Sequence, residues 1–158
     1  MTEIGNDTEF RQKLESLDHS RQRLLAARFV ENVLPYCNDE RIARVVKVAA
    51  DPHASADELA TALHTAKTAI IDSHARCGAE SDWKDQAGYF VARAAAAAVT
   101  PEGQMVGGPA WQAAMSSRMA ATCRSIDSAE VKAGQARTQQ YLILSEFLTS
   151  LRESAPHE

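Results

Sequence analysis

The chain is poor in the residues that build turns and strands. It has 7 glycines and 5 prolines among 158 residues, and its aromatic content is 6%. An all-β sandwich or barrel needs frequent Gly/Pro turns and aromatic or β-branched strands. These shortages argue against one. Cysteine is scarce too: Cys37, Cys77 and Cys123 are widely spaced and odd in number. That pattern does not suit a disulfide framework, so each reads as a small apolar filler on a helix face. No charge of one sign dominates. The net charge is −4, and no run of Lys and Arg tracks along the chain, which excludes a general attraction to nucleic acid or acidic membranes. No apolar run approaches the roughly 20 residues of a membrane span.

The N-terminal residues Met1 to Asp7 are acidic and lack a charged-then-apolar leader. A cytoplasmic protein is the resulting expectation. The length suits one domain over residues 1–158, with 1–7 and 153–158 as mobile tails. Such a chain buries roughly 70% of the surface its unfolded form exposes. It needs no disulfide or metal to fold, and no cofactor is expected.

What the chain has is alanine and helical periodicity. The segment Arg93-Ala94-Ala95-Ala96-Ala97-Ala98-Val99 is small and uncharged nearly all round. A helix of that kind must be wrapped by neighbours, so it predicts the central rod of an all-α bundle. Thr8 to Ser16 reads as a first helix with Phe10 and Leu14 one turn apart. Asp18 or Ser20 caps a second, carrying Leu24, Leu25, Phe29, Val30 and Val33 and ending near Pro35. Asn38 suits the N-cap of a third, with Ile42, Val45, Val46 and Ala49 on one face. Ser55-Ala56-Asp57-Glu58 is a capping box. The helix it opens carries Leu59, Ala62, Leu63, Ala66, Ala69 and Ile70, and should stop at Gly78.

Ser81-Asp82 caps the alanine-rich helix, which begins at Trp83. Thr100 to Pro109 is the one Gly/Pro-rich loop. From about Ala110 a helix follows, with Trp111, Met115, Met119, Thr122 and Ile126 about a turn apart. A last helix carries Tyr141, Leu144, Phe147, Leu148 and Leu151; Asp127 to Gly134 reads equally as helix or loop. The expectation is a compact single-domain bundle of six or seven helices.

Chemistry-bearing motifs are few. His74 and Cys77 stand at i, i+3, but a structural zinc site shows two close pairs; no metal is expected. There is no H-E-x-x-H, no Glu-x-x-His, no phosphate-binding loop and no Gly-x-Ser-x-Gly elbow. No catalytic residue is assigned. Arg93 is the polar residue to watch. An unpaired guanidinium inside a wrapped helix would be very costly. A carboxylate partner is expected, with Asp72 and Glu31 as candidates; the plain reading is a structural ion pair or an arginine snorkelling to the edge, and the sharper one is that Arg93 floors a pocket lined by Trp83, Tyr89 or Phe90. The loop residues Met105 and Val106 with nearby Trp111 form the candidate interaction patch, since methionine and aromatics are enriched in interface cores.

Leu17-Asp18 through Arg21, Leu24 to Phe29 and Glu31-Asn32-Val33-Leu34-Pro35 resemble the opening of the Imm5-like immunity proteins. Asp39-Glu40-Arg41 followed by Val45 to Ala49 resembles their next segment, and the likeness spans roughly residues 17–99. The chain departs from that family in lacking a proline after Arg41 and a glycine–histidine pattern in its later helices. The resemblance implies an all-α, non-enzymatic bacterial protein that binds and neutralises a cognate toxin. It carries no contact residues across. The functional expectation is therefore a protein-binding module, immunity-like, with a possible homodimer and no nucleic-acid or membrane partner. The alternative is a small-ligand-binding domain with its pocket near Arg93.

Overall fold

The computed structural model describes residues 4–76, 83–126 and 135–154. Among them there are seven α-helices, one 3-10 turn and no strand. Helix α1 runs Asp7–Glu15, α2 His19–Val33, α3 Glu40–Ala50 and α4 Ala56–Arg76. Helix α5 runs Trp83–Ala98, α6 Gly108–Ile126 and α7 Gln135–Ser154. The 3-10 turn, Leu34–Tyr36, follows α2 at Pro35. The all-α expectation holds.

Local chemistry explains most boundaries. Asn6 caps α1 by accepting from the Glu9 N–H at 2.9 Å. Asp18, the expected cap, accepts from the Arg21 N–H at 2.9 Å. At α4 the capping box is reciprocal: Glu58 N–H donates to Ser55 Oγ and Ser55 N–H donates to Glu58 Oε1, both at 3.1 Å. The α3 cap is Asp39 rather than Asn38, because the Asp39 carboxylate accepts from the Arg41 N–H at 3.0 Å. Helix α6 begins at Gly108, slightly before Ala110, on two consecutive glycines with φ of 80° and 86°. The expected stops and caps at Gly78, Ser81, Asp82 and Asp127 to Gly134 lie outside the described residues, as does Cys77.

Helix α5 is the centre of the bundle. It packs on α2, α3, α4 and α6, with α6 its most extensive contact. Ala94 to Ala98 are all buried. The buried residues of α6 are small: Ala113 and Ala120 pack in the same region as the α5 alanines, Ala110 and Ala114 pack in the aromatic region, and Ser117 and Cys123 are also buried. This corrects the expected stripe on α6. Met119 is 47% exposed and Thr122 is exposed, while Trp111 and Met115 are half-buried. Two alanine-rich helices approach closely only through their smallest residues, so the small face wins over the large one. The core has two regions. One is built of alanine and valine from α2 to α6. The other is aromatic and leucine-rich, with Phe10, Leu14, Leu25, Phe29, Leu144 and Phe147.

Two polar devices hold the helices together. Arg118 donates two bonds to Asp7, at 2.8 and 3.0 Å, and a third to Gln140 Oε1 at 2.7 Å. Tyr141 OH donates to the same Asp7 at 2.7 Å. This cluster ties α1, α6 and α7. The Arg118 guanidinium holds the Asp7 carboxyl below the usual carboxylate range. Burial, with the Asp7 carboxylate beside it, pushes the Tyr141 hydroxyl up. The expected tail of residues 1–7 is thus shortened, since Ile4 is buried in the aromatic region and Asp7 opens α1. At the other end α7 runs to Ser154, beyond the expected tail start at 153.

The second device is Arg23. It is 5% exposed, and its Nη1 donates to the carbonyls of Ala49 at 3.0 Å and Asp51 at 2.8 Å, with Val48 at 3.4 Å. These are terminal carbonyls of α3, which have no partner inside the helix and carry its negative dipole end. One turn earlier on α2, His19 Nε2 lies 3.0 Å from the carbonyl of Thr100, just past α5. The buried arginine of this fold is therefore Arg23. Arg93 is exposed, which corrects the expectation of a buried ion pair. The four neighbours of α5 leave one strip open, and Arg93 lies on it, 5.7 Å over the ring of Tyr89. Asp72 is taken by another arginine, and Glu31 is exposed.

Candidate functional site

A cavity of about 570 Å³ opens where the 3-10 turn and the start of α3 meet α4 and α5. Pro35 ends α2 and turns the chain, so Tyr36 to Asn38 form one wall. Arg124 of α6 lies 5.4 Å over the Tyr36 ring and steadies it. The floor is apolar and fully enclosed: Ile42, Ala69 and Ala92 are each at most 2% exposed. Ser73 of α4 is buried beside them.

Above that floor stands an arginine clasp. Arg41 Nε donates to Asp39 Oδ1 at 3.0 Å, and its Nη2 donates to Asp39 Oδ2 at 2.7 Å. This is the two-pronged arginine–carboxylate geometry. Its Nη1 donates to Asp72 Oδ2 at 2.9 Å, which bridges α3 to α4. Asp39 therefore has two tasks, capping α3 and holding Arg41. The two carboxylates, Asp39 first, raise the Arg41 pKa, so the guanidinium stays charged. Two of its five N–H groups are left over by these three bonds.

The rim carries both signs. Glu40 and Arg44 come from α3, and Lys84 and Asp85 from the first turn of α5; all four are exposed. Among the described residues neither Arg44 nor Lys84 is in an ion pair. Cys37 and Ser73 are the nucleophile-type side chains of the lining, but no histidine lines it. The geometry of a thiol or hydroxyl activated by imidazole is not present there. The cleft brings together a held guanidinium, an apolar floor and a rim of both charges.

The residues singled out in the sequence fall elsewhere. Of Arg93, Asp72 and Glu31, only Asp72 touches the cleft's machinery, through Arg41. Trp83, Tyr89 and Phe90 do not line it; α5 contributes Lys84, Asp85, Gly88 and Ala92 instead. The expected patch at the Gly/Pro loop divides. Met105 packs against the alanine–valine region, and Trp111 against the aromatic one, under the Arg11 guanidinium at 4.8 Å. Only Val106 is left outside, 81% exposed. His74 is exposed, with its ring 5.7 Å from Tyr89. Among the described residues no group of three His, Cys, Asp or Glu is placed to hold a metal. Likewise, no described helix is long and apolar enough to cross a membrane.

Reasoning from sequence missed Arg41 as the centre of the site. A signal was present: Asp39-x-Arg41 at a helix start places the arginine beside its own capping carboxylate. No protein-family model, curated protein or solved structure matches this chain.

Proposed function

We propose that the chain is a protein-binding module whose working surface is the cleft at the start of α3. The observation that carries this reading is the Arg41 clasp. A fixed guanidinium stands over an apolar floor, inside a rim whose Arg44 and Lys84 are in no ion pair among the described residues. Binding loses little ordering entropy at Arg41, because its guanidinium is already held. The likeness of residues 17–99 to the Imm5-like immunity proteins supports the narrower proposal that the partner is a toxin the chain neutralises. A small polar ligand is the second reading. The cavity of about 570 Å³ favours it, since small-molecule sites span roughly 300–1,000 Å³.

The test compares affinity capture from the native cell by the parent chain and by an Arg44→Glu, Lys84→Glu double variant. Both residues are exposed, so the variant keeps its helical circular dichroism. The parent should retain a protein partner that the variant loses. A partner held equally by both would overturn the cleft as the working surface. Capture of no protein, with cleft-dependent thermal stabilisation by a small zwitterion, would install the second reading.

A further inference from the structure

The outer face of α4 and α5 differs from the rest of the molecule in charge. The chain as a whole is acidic, at −4. Yet Asp72 is the one carboxylate between residues 59 and 76, and Arg41 holds it on the cleft side. On α5 the one carboxylate is Asp85, at the cleft rim, and between residues 99 and 126 the one carboxylate is Glu102, in the loop after α5. Lys67, Ile71 and His74 recur at i, i+4 and i+7, so they share one face of α4. Tyr89 and Arg93 are an i, i+4 pair on α5. The two rows meet at Tyr89, whose ring lies 5.7 Å from His74 on one side and 5.7 Å under Arg93 on the other.

This face exposes apolar surface where the rest of α4 does not. Ile71 is 69% exposed, the highest among the described large hydrophobic residues of the helices. Among the described residues neither Lys67 nor Arg93 is in an ion pair. Tyrosine and arginine beside an exposed aliphatic side chain are the residue types that carry binding energy at protein interfaces. The row from Lys67 to His74 is about 10 Å long at 1.5 Å per residue. That length accepts about two turns of a helix laid along α4 and α5.

We infer that this face docks an acidic amphipathic helix of a partner protein. Its apolar edge would cover Ile71 and the Tyr89 ring, and its carboxylates would meet Arg93 and Lys67. The inference rests on reading the chain as a protein-binding module and assigns the chemistry of the partner. Charge selects protein over nucleic acid. A phosphate backbone needs a track of cations and would face the net negative charge of the whole chain.

The test titrates the protein with a fluorescent synthetic peptide of about five helical turns, leucine on one face and glutamate on the flanks. Its lysine-for-glutamate counterpart and polyuridylate serve as the other probes. At low salt the glutamate peptide should bind, and the lysine peptide should not. Arg93→Glu and Ile71→Glu should each weaken binding at least about tenfold. Lys84→Glu, in the cleft, should leave it unchanged, so failure of this face and failure of the cleft are read separately. Circular dichroism confirms that each surface variant folds. No binding of the glutamate peptide, or binding that both face variants leave intact, overturns the inference. Tighter binding of polyuridylate than of the peptide overturns it in favour of nucleic acid.

Discussion

Replacing Arg23 should damage this fold far more than replacing Arg93, although both sit among alanines. Consider Arg23→Met, which keeps the aliphatic stem and removes the charge. Nη1 has two hydrogens, so its contacts at 2.8 and 3.0 Å are the two real bonds, and the 3.4 Å approach to Val48 adds little. A hydrogen bond from a charged donor is worth about 1.5–3 kcal/mol. Burying the guanidinium offsets part of that. The methionine also recovers apolar contact but removes the bond to the Ala49 carbonyl and leaves the Asp51 carbonyl with the Ala54 N–H alone. A net loss of about 3 kcal/mol follows. For a chain of this size that lowers the melting temperature by roughly 6–12 °C. Arg93→Met removes an exposed group stacked on Tyr89, a contact worth about 0.5–1 kcal/mol. The assay is thermal and urea unfolding of both variants side by side. If Arg23→Met melts within about 2 °C of the parent, or Arg93→Met falls as far, the assignment of Arg23 as the cap of α3 is wrong.

Three further outcomes are expected. Asp7→Asn should lower stability at neutral pH by about 1–2 kcal/mol, discounted for the 40% exposure of the carboxylate. The Asp7 carboxyl is depressed below 3.8, so its contribution is full above that value and is lost as pH falls through the folded-state value. Urea midpoints of parent and variant should therefore converge toward pH 2; a constant gap would refute the Arg118 pairing. Gly108→Ala should cost about 2–3 kcal/mol, because φ is 86° and the added Cβ would run into the buried Gln22 side-chain amide. Gly103→Ala, with a similar φ but open space, should cost about 1 kcal/mol, and equal losses would discount the Gln22 contact. Ala113→Leu should destabilise by about 1–3 kcal/mol through overpacking against α5, and an unchanged urea midpoint would show that the two helices are not in close contact.

The helices themselves were legible because their signals are local. The Asp18 cap, the Ser55–Glu58 box and the Ile42, Val45, Val46, Ala49 stripe are each written within one or two turns. Which face of an alanine-rich helix packs is a different matter. On α6 the large residues invite attention, but the buried positions are small: Ala113 and Ala120 pack with the alanines of α5, and Ala110 and Ala114 pack in the aromatic region. The two arginines show the same limit. Arg23 shares a helical face with Ala26, Ala27 and Val30, a pattern visible in the sequence; its partners are carbonyls, which no side-chain pattern announces. Arg93 falls on the strip of Gln86 and Tyr89, and only tertiary packing shows that strip to be open. The cleft depends on contacts between elements, as when Asp72 reaches across from α4 to Arg41, so its residues could not be assembled from spacing alone.

The most direct test of the account is hydrogen–deuterium exchange of the chain alone and with its captured protein partner. The cleft reading predicts new amide protection at residues 37–44 and 83–88, the walls that carry Arg41, Arg44 and Lys84. Protection confined to other segments, with those two unchanged, would contradict it.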